Sequence, residues 1–368
     1  MKHCFFTLFL LLFTYKNSNS QTTDSIPIDS LLINSELNFT DSISNLNKKN
    51  KLLSMSRNAY NKGLDFVLNN DLEQAINSFT EAITIDSSFS SAYFERANCY
   101  EGPNDELAIL DYSTAFSLDS SNLSPLYKIA RIQSRTDRVI ARETYNQILS
   151  IDDEHWKAYY EIGVLLYLVG EIENAIASFS SALDINKDAR TFNDRASCYR
   201  KLENYDEAIK DYLQAITLKP ELAFIYNNLA STYRKQKNTE MAISYYTIAI
   251  SKDENYVLAY NNRGSLQIDL GNIPEALADI EKAISLDENY APAYNNRGII
   301  HHINKRYDNA LSDFDKSIVL DVKYAKAYLN RGITKQMIRD EDGACDDWLK
   351  AKELGIKVAI KYLGNDCE

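Results

Sequence analysis

The chain has 368 residues, of which 45% are hydrophobic, 11% aromatic and 25% charged. This apolar content is enough to bury a large core, and it excludes a disordered chain, a collagen-like fibre and a disulfide-rich mini-protein. Acidic residues (52) outnumber basic ones (40), so the formal net charge is -12 and the surface as a whole does not favour nucleic acid or an anionic membrane. With 11 Gly and 6 Pro there are few breaks, which favours a nearly continuous helical protein.

The amino-terminal segment 1–20 has the pattern of a signal peptide. Lys2 precedes an apolar run at positions 4–15, and small residues follow that predict cleavage between Ser20 and Gln21. The run is shorter than the roughly 20 residues that a membrane-spanning helix needs. We therefore expect an exported protein, periplasmic or secreted, with an uncleaved membrane anchor as the alternative.

Residues 21–55 are rich in Ser, Asn, Thr and Asp, with scattered Ile and Leu. This composition predicts a flexible leader that becomes helical near Lys48. No second candidate membrane segment follows, so we expect membrane contact only through segment 1–20, and only if that segment is not cleaved.

From residue 56 onward the sequence repeats itself about every 34 residues. The hexapeptide AYNNRG stands at residues 259–264 and 293–298, and AYLNRG stands at residues 327–332. Extending this register back towards the amino terminus predicts nine units, namely 56–89, 90–122, 123–155, 156–188, 189–222, 223–256, 257–290, 291–324 and 325–354.

Three positions of the repeat keep their character. Position 8 is Gly or Ala and position 20 is Ala in every unit, while position 24 is aromatic in every unit except the seventh, which has Ile280. Two closely crossing helices need small residues at the crossing and a large side chain beside it, so each unit is predicted to be a helix-turn-helix hairpin. The pattern resembles the tetratricopeptide repeat over residues 56–354. The resemblance implies an all-α fold, an α-solenoid whose hairpins form a right-handed superhelix, closed by a capping helix and tail in residues 355–368.

Five units carry both Arg at position 7 and Asp at position 23, and the other four units carry neither. We infer that these residues form an ion pair between the two helices of a hairpin, rather than a ligand site. The predicted pairs are Arg96–Asp111, Arg195–Asp211, Arg263–Asp279, Arg297–Asp313 and Arg331–Asp347.

Positions 2, 5, 6, 9, 12 and 13 of the first helix face away from its packed side when successive residues are placed 100° apart. In proteins that this chain resembles, that face lines a concave groove that holds ligands. The face has more basic than acidic residues, the reverse of the whole chain, although an ordinary solvated helix face remains the alternative. The acidic residues are Glu95, Glu101, Glu161, Asp194 and Asp269. Beside Arg57 and Lys326, the basic residues are concentrated in units three to six: Lys128, Arg131, Arg135, Lys157, Arg190, Arg200, Lys201, Arg234 and Lys235.

Position 5 is aromatic in the first four units and Asn in the next four, and position 6 is Asn in units six to nine. A side-chain amide both donates and accepts, so it can bond the backbone of an extended peptide of any sequence. The Asn columns resemble the asparagine ladder of repeat domains that select protein substrates for glycosyl transfer; the alternative is that Asn merely suits an exposed helix face. The predicted groove residues are Tyr60, Phe94, Tyr127, Tyr160, Asn193, Asn227, Asn228, Asn261, Asn262, Asn295, Asn296 and Asn330.

Four cysteines follow residue 20. Cys99 and Cys198 occupy position 10 on the packed side and are expected to be buried thiols. Cys345 and Cys367 flank a predicted turn near Leu354, and two antiparallel helices would bring them together. We expect either a disulfide that holds the terminal cap or two free thiols.

The sequence contains no HExxH, phosphate-binding glycine loop, nucleophile elbow or CxxC motif. We therefore expect no enzyme activity, no cofactor or metal, no small-molecule substrate and no nucleic acid partner. The predicted function is that of an exported scaffold that binds another protein or peptide by holding an extended, acidic segment in the groove. Two alternatives stay open: a structural scaffold in an envelope or secretion assembly that acts through its convex face, and a binder of anionic glycans.

Overall fold

The computed structural model of the protein describes residues 28–363 and Cys367. These residues form 18 α-helices and one 3-10 helix, with no strand among them. The predicted signal peptide, residues 1–20, lies outside the described residues. None of the helices in the described part of the chain is long and apolar enough to cross a membrane.

The chain divides into two compact units, the first ending at Asp119 and the second beginning at Ser120. The first unit contains α1 (Ile28–Leu68), α2 (Leu72–Ile85), α3 (Ser90–Tyr100) and α4 (Asp105–Leu118). The second contains α5 (Ser124–Thr136), α6 (Arg138–Ile151), α7 (Trp156–Val169), α8 (Ile172–Ile185), α9 (Ala189–Lys201), α10 (Tyr205–Leu218), α11 (Ala223–Lys235), α12 (Thr239–Lys252), α13 (Val257–Asp269), α14 (Ile273–Leu286), α15 (Ala291–Ile303), α16 (Tyr307–Leu320), α17 (Ala325–Met337), α18 (Glu341–Glu353) and the 3-10 helix Lys357–Lys361.

Within each unit, consecutive helices pair as antiparallel hairpins, from α1 with α2 to α17 with α18, and successive hairpins pack against one another. In the second unit, the first helices of neighbouring hairpins also touch, as α7 touches α9 and α13 touches α15. The 18 helices of the described residues thus make one hairpin for each predicted repeat. The predicted all-α fold of stacked hairpins is confirmed.

The helices of each hairpin cross closely, because the crossing has room for no additional side chain. The Ala at position 20 is fully buried in all nine hairpins. A Cβ atom added to Gly163 would lie 2.7 Å from the ring of Phe179, and one added to Gly298 would lie 2.6 Å from the ring of Phe314. Such distances are shorter than a van der Waals contact, so Gly is needed where Phe lies opposite.

All five predicted Arg–Asp pairs are present, and four of the five Arg side chains also reach the preceding hairpin. The Arg donates Nε and Nη2 to the two oxygens of the buried Asp carboxylate at 2.5–2.9 Å. In four of the five, Nη1 donates to position 25 of the hairpin before, so that one Arg joins three helices. These acceptors are Thr80, Ser180, Thr247 and Asp315.

The leader differs from the prediction. Residues 21–55 were expected to be flexible as far as Lys48, but α1 begins at Ile28 and continues for 41 residues to Leu68. The sequence of this helix before the first repeat contains neither Gly nor Pro, so nothing in it interrupts helical hydrogen bonding. Tertiary packing is established at Ser56, which is 1% exposed and donates its hydroxyl to the carbonyl of Ala82.

The carboxyl-terminal cap also differs from the predicted helix. Gly355 takes a left-handed conformation with φ of +97° after α18, and only a five-residue 3-10 helix follows. Its sequence, KVAIK, buries Ala359 alone and so lacks the apolar stripe that would hold a longer helix against α18. In the structure a disulfide joins Cys345 to Cys367, whose Cα atoms lie 5.3 Å apart.

Cys99 and Cys198 are buried free thiols, as expected. Burial raises the pKa of Cys99 to about 11 and that of Cys198 to about 12. Both side chains therefore stay protonated at neutral pH and act as small apolar residues.

Candidate functional site

The predicted basic residues of the second unit lie on the first helices of successive hairpins. Arg131 on α5, Lys157 on α7, Arg190 and Lys201 on α9 and Lys235 on α11 are exposed. None of these five has an ion pair with another described residue. Their charges are therefore available to a ligand.

The remaining basic residues of this region are engaged within the protein. Arg200 donates to the backbone carbonyl of Asn228 at 3.2 Å, and Arg234 pairs with Asp269 at 2.5 Å. Lys128 and Arg135 also interact with other side chains or backbone groups.

The acidic residues of the face all have internal donors. In the second unit, Glu161 accepts from the Tyr127 hydroxyl at 2.8 Å, and Asp194 accepts from the Tyr160 hydroxyl at 2.9 Å. In the first unit, Glu95 accepts from the amide of Asn98 at 3.0 Å, and Glu101 accepts from the hydroxyl of Tyr112 at 3.2 Å. Neutral donors leave the charges of Glu161 and Asp194 in place. The five cations without an ion pair outnumber these two carboxylates, so the net charge on this face of the second unit is positive.

Positions 5 and 6 carry a hydrogen bond that links each hairpin of the second unit to the next. In units five to nine, Nδ2 of the Asn at position 6 donates to Oδ1 of the Asn at position 5 in the preceding hairpin, at 2.8–3.0 Å. In units three to five a Tyr hydroxyl makes the same link to a carboxylate. The six pairs are Tyr127–Glu161, Tyr160–Asp194, Asn193–Asn228, Asn227–Asn262, Asn261–Asn296 and Asn295–Asn330.

This link reduces the number of Asn donor and acceptor atoms that can form hydrogen bonds with a peptide. The four Asn side chains at position 5 are only 2–6% exposed, and each uses its oxygen to hold the next hairpin. Nδ2 of Asn261 and Oδ1 of Asn262 make no hydrogen bond with the described residues, and both residues line a concave cavity. The amides therefore keep the hairpins in register, and part of their bonding capacity remains for a ligand.

That cavity lies over hairpins six to nine and has a volume of about 790 Å³. Four cations, Arg234, Lys235, Lys237 and Lys326, line it together with one anion, Asp269. Its remaining wall is formed by Ser and Asn side chains, by Tyr246, Tyr290 and Tyr324, and by the apolar residues Pro292 and Ile299. The described residues contain no cluster of three or more His, Cys, Asp or Glu side chains placed to hold a metal ion.

The aromatic residues at position 5 are less exposed to solvent than expected for side chains that contact a ligand in the groove. Each ring packs on the ring at position 24 of its own hairpin, with centroids 5.5–5.8 Å apart, and each of the four side chains is partly buried. The four pairs are Tyr60–Phe79, Phe94–Tyr112, Tyr127–Tyr145 and Tyr160–Phe179.

The residues under the groove were not recognised from the sequence, although a signal for them exists. The Tyr212 hydroxyl lies 2.9 Å from that of Ser197 at position 9, and the Tyr246 hydroxyl lies 3.0 Å from that of Ser231. Tyr occurs at position 24 only in units with Ala at position 8, whereas Phe, Ile or Trp occurs there only in units with Gly. Positions 8, 9 and 24 thus form one packing unit, and the last two set the polarity of the groove floor.

Comparison with known proteins identifies the repeats. Family models described as tetratricopeptide repeat match residues 157–188, 189–222, 225–255, 257–290 and 291–321. No curated protein sequence matches the chain.

Solved structures with the same fold include the APC/C hetero-tetramer Cut9-Hcn1, at 14% identity and a TM-score of 0.56, with 84% of this chain and 76% of that chain covered. A tetratricopeptide repeat protein from Parabacteroides merdae is 21% identical over 76% of this chain and 99% of that one, with a TM-score of 0.49. PilF from Pseudomonas aeruginosa is 20% identical over 57% of this chain and 96% of that one, also with a TM-score of 0.49. At these identities the likeness concerns the fold alone. With its matched repeats and stacked hairpins, the chain is a tetratricopeptide repeat protein, a scaffold suited to protein–protein interaction.

Proposed function

We propose that the protein binds another protein by holding an extended, acidic segment along the concave face of its second unit. The observation that carries this proposal is the set of exposed, unpaired cations at Arg131, Lys157, Arg190, Lys201 and Lys235, in a chain whose net charge is -12. Unpaired charge of one sign on one face attracts the opposite charge and raises the rate of association.

The repeat spacing favours an extended ligand. Packed helices lie roughly 8–10 Å apart, and an extended chain advances about 3.3 Å per residue, so about three ligand residues correspond to one hairpin. Acidic side chains at that spacing reach the cations of successive hairpins. Remaining amide atoms, such as those of Asn261 and Asn262, bond the backbone of the segment.

We also propose that the scaffold works outside the cytoplasm and without catalysis. The signal-like segment 1–20 and the disulfide between Cys345 and Cys367 support an oxidising compartment, where such bonds persist.

The test is co-purification of partners from the native extracytoplasmic fraction with two matched triple variants. The groove variant carries Arg131→Glu, Lys201→Glu and Lys235→Glu. The control variant carries Lys187→Glu, Lys210→Glu and Lys282→Glu, three exposed residues on or directly after second helices. Both variants change the net charge equally, so a general charge effect is the same in each.

Loss of a protein partner from the groove variant alone supports the proposal. Loss from the control variant alone favours the structural scaffold that acts through the convex face. A bound species that survives protease treatment of the ligand fraction and is released by salt favours an anionic glycan.

A further inference from the structure

A small concave pocket of about 270 Å³ lies over hairpins four to six, on the same face as the exposed cations. Helices α7, α8, α9 and α11 contribute its wall. The lining side chains are Val164, Tyr167, Leu168, Phe179, Asn193, Asp194, Ser197 and Asn228.

The polar side of this pocket is already bonded within the protein. Asp194 accepts from Tyr160 at 2.9 Å and from Asn193 at 3.0 Å. Ser197 donates to the carbonyl of Asn193 and contacts the Tyr212 hydroxyl at 2.9 Å. A polar guest would therefore find few unsatisfied partners here.

The apolar side is open to solvent. Leu168 is 55% exposed, and Val164 and Tyr167 are partly exposed. These residues occupy positions 9, 12 and 13 of the fourth unit. In units three, five and six the same three positions are all polar or basic: Arg131, Ser134 and Arg135, then Ser197, Arg200 and Lys201, then Ser231, Arg234 and Lys235.

At these three positions the fourth hairpin is thus apolar, whereas the hairpins on both sides of it are polar or basic. On one side stands Arg131, exposed and without an ion pair among the described residues. On the other stands Lys201, whose Nζ lies 4.9 Å from the ring centroid of Tyr167 at the edge of the pocket. A ligand that lies across the fourth hairpin would contact the positive charge of Arg131, then the apolar side of the pocket, then the positive charge of Lys201.

We propose that the ligand segment carries one large apolar side chain that fills this pocket, flanked on both sides by acidic residues about three positions away. This inference rests on the proposed binding of an acidic segment and specifies what such a segment must contain. Burying a side chain of the size of Leu strengthens binding by about tenfold or more, whereas the acidic contacts supply attraction with little selectivity.

The probe is a pair of fluorescein-labelled peptides of about 13 residues, with Asp about three and four positions before and after the centre and Gly, Ser and Thr elsewhere. One peptide has Leu at the centre and the other has Ser. Binding to the full-length protein is followed by fluorescence anisotropy at low and at raised salt. The Leu peptide is expected to bind about tenfold more tightly than the Ser peptide.

The variant Val164→Ser with Leu168→Ser is expected to bind both peptides equally. The control Leu213→Ser changes an exposed Leu on α10, outside the pocket, and is expected to keep the preference. Circular dichroism checks that both variants retain their helices.

Two results would overturn the inference while leaving the acidic-segment proposal standing: equal, salt-sensitive binding of both peptides to the wild type, or a preference for Leu that survives in the pocket variant. Failure of both peptides to bind at low salt would overturn the proposed function together with the inference.

Discussion

Arg195 illustrates how one residue ties three helices together. Its guanidinium bonds both oxygens of Asp211 and the hydroxyl of Ser180, and the Asp211 side chain is only 6% exposed. The variant Arg195→Leu would leave that carboxylate buried and unpaired, which is expected to lower the free energy of unfolding by about 3 kcal/mol. Denaturant unfolding followed by circular dichroism measures the change.

The sixth hairpin supplies a control, since it fills the same two positions with Leu229 and Tyr245, and Tyr245 stacks on Tyr233. The double variant Arg195→Leu with Asp211→Tyr is expected to recover most of the loss. If both variants lose the same free energy of unfolding, the loss in Arg195→Leu does not come from leaving the Asp211 carboxylate unpaired.

Asp194 makes stability depend on pH in an unusual direction. Burial raises the pKa of Asp194 above the ordinary 3.8, and the negative charge of Asp188 also raises it. The hydrogen bonds from Tyr160 and Asn193 and the charge of Arg190 lower the pKa, but burial has the larger effect. The folded state then holds this proton more tightly than the unfolded state, so the contribution of Asp194 to stability falls as pH rises from 3.8 through the folded pKa.

Relative to the wild type, the unfolding midpoint of Asp194→Asn is therefore expected to rise as pH increases across this acidic range. Asp308→Asn, at an exposed carboxyl, is the comparison and should follow the wild type. A midpoint of Asp194→Asn that falls relative to the wild type as pH increases would contradict the assignment.

The hydrogen bond between positions 5 and 6 joins the first helices of neighbouring hairpins in the second unit. Removing the Asn261 side chain leaves Nδ2 of Asn296 without its acceptor, in a residue that is 8% exposed. Asn261→Ala is expected to cost about 1–3 kcal/mol and to speed amide hydrogen exchange in α13 and α15. Asn146→Ala, at an exposed site on α6, is expected to change stability by less than about 0.5 kcal/mol.

The close crossing of the two helices in a hairpin limits the size of the residue at position 8. Gly298→Ala places a Cβ atom 2.6 Å from the ring of Phe314, and the strain is expected to cost about 1–3 kcal/mol. Adding Ile299→Ser and Phe314→Tyr is expected to restore most of the stability, because it reproduces the set found in the fifth hairpin, namely Ala196, Ser197 and Tyr212. Thermal unfolding of the two variants shows whether the three positions are coupled.

Hairpins and Arg–Asp pairs could be predicted from the sequence because each depends on residues within one repeat. The Asn228–Asn193 bond spans 35 residues and depends on how two hairpins stack. The recurrence of Asn at positions 5 and 6 could not reveal this bond, so the sequence predicted side chains that were open to a ligand. The five-residue 3-10 helix was missed for a related reason, since its conformation depends on packing against α18. The coupling of positions 8, 9 and 24 was visible in the sequence and could have predicted the floor of the groove.

For the molecule as a whole, the central question is whether an acidic protein segment occupies the concave face of the second unit. Photo-crosslinking in the native host answers it most directly, with p-benzoylphenylalanine replacing Lys201 on the concave side or Lys210 on α10. Mass spectrometry of the cross-linked peptides identifies what lies beside each position. We predict cross-links at position 201 to a segment of another protein that is rich in Asp and Glu, and none to that segment at position 210. Cross-links to a partner at position 210 alone, or at position 201 to a segment without an excess of acids, would contradict binding of an acidic segment in the groove.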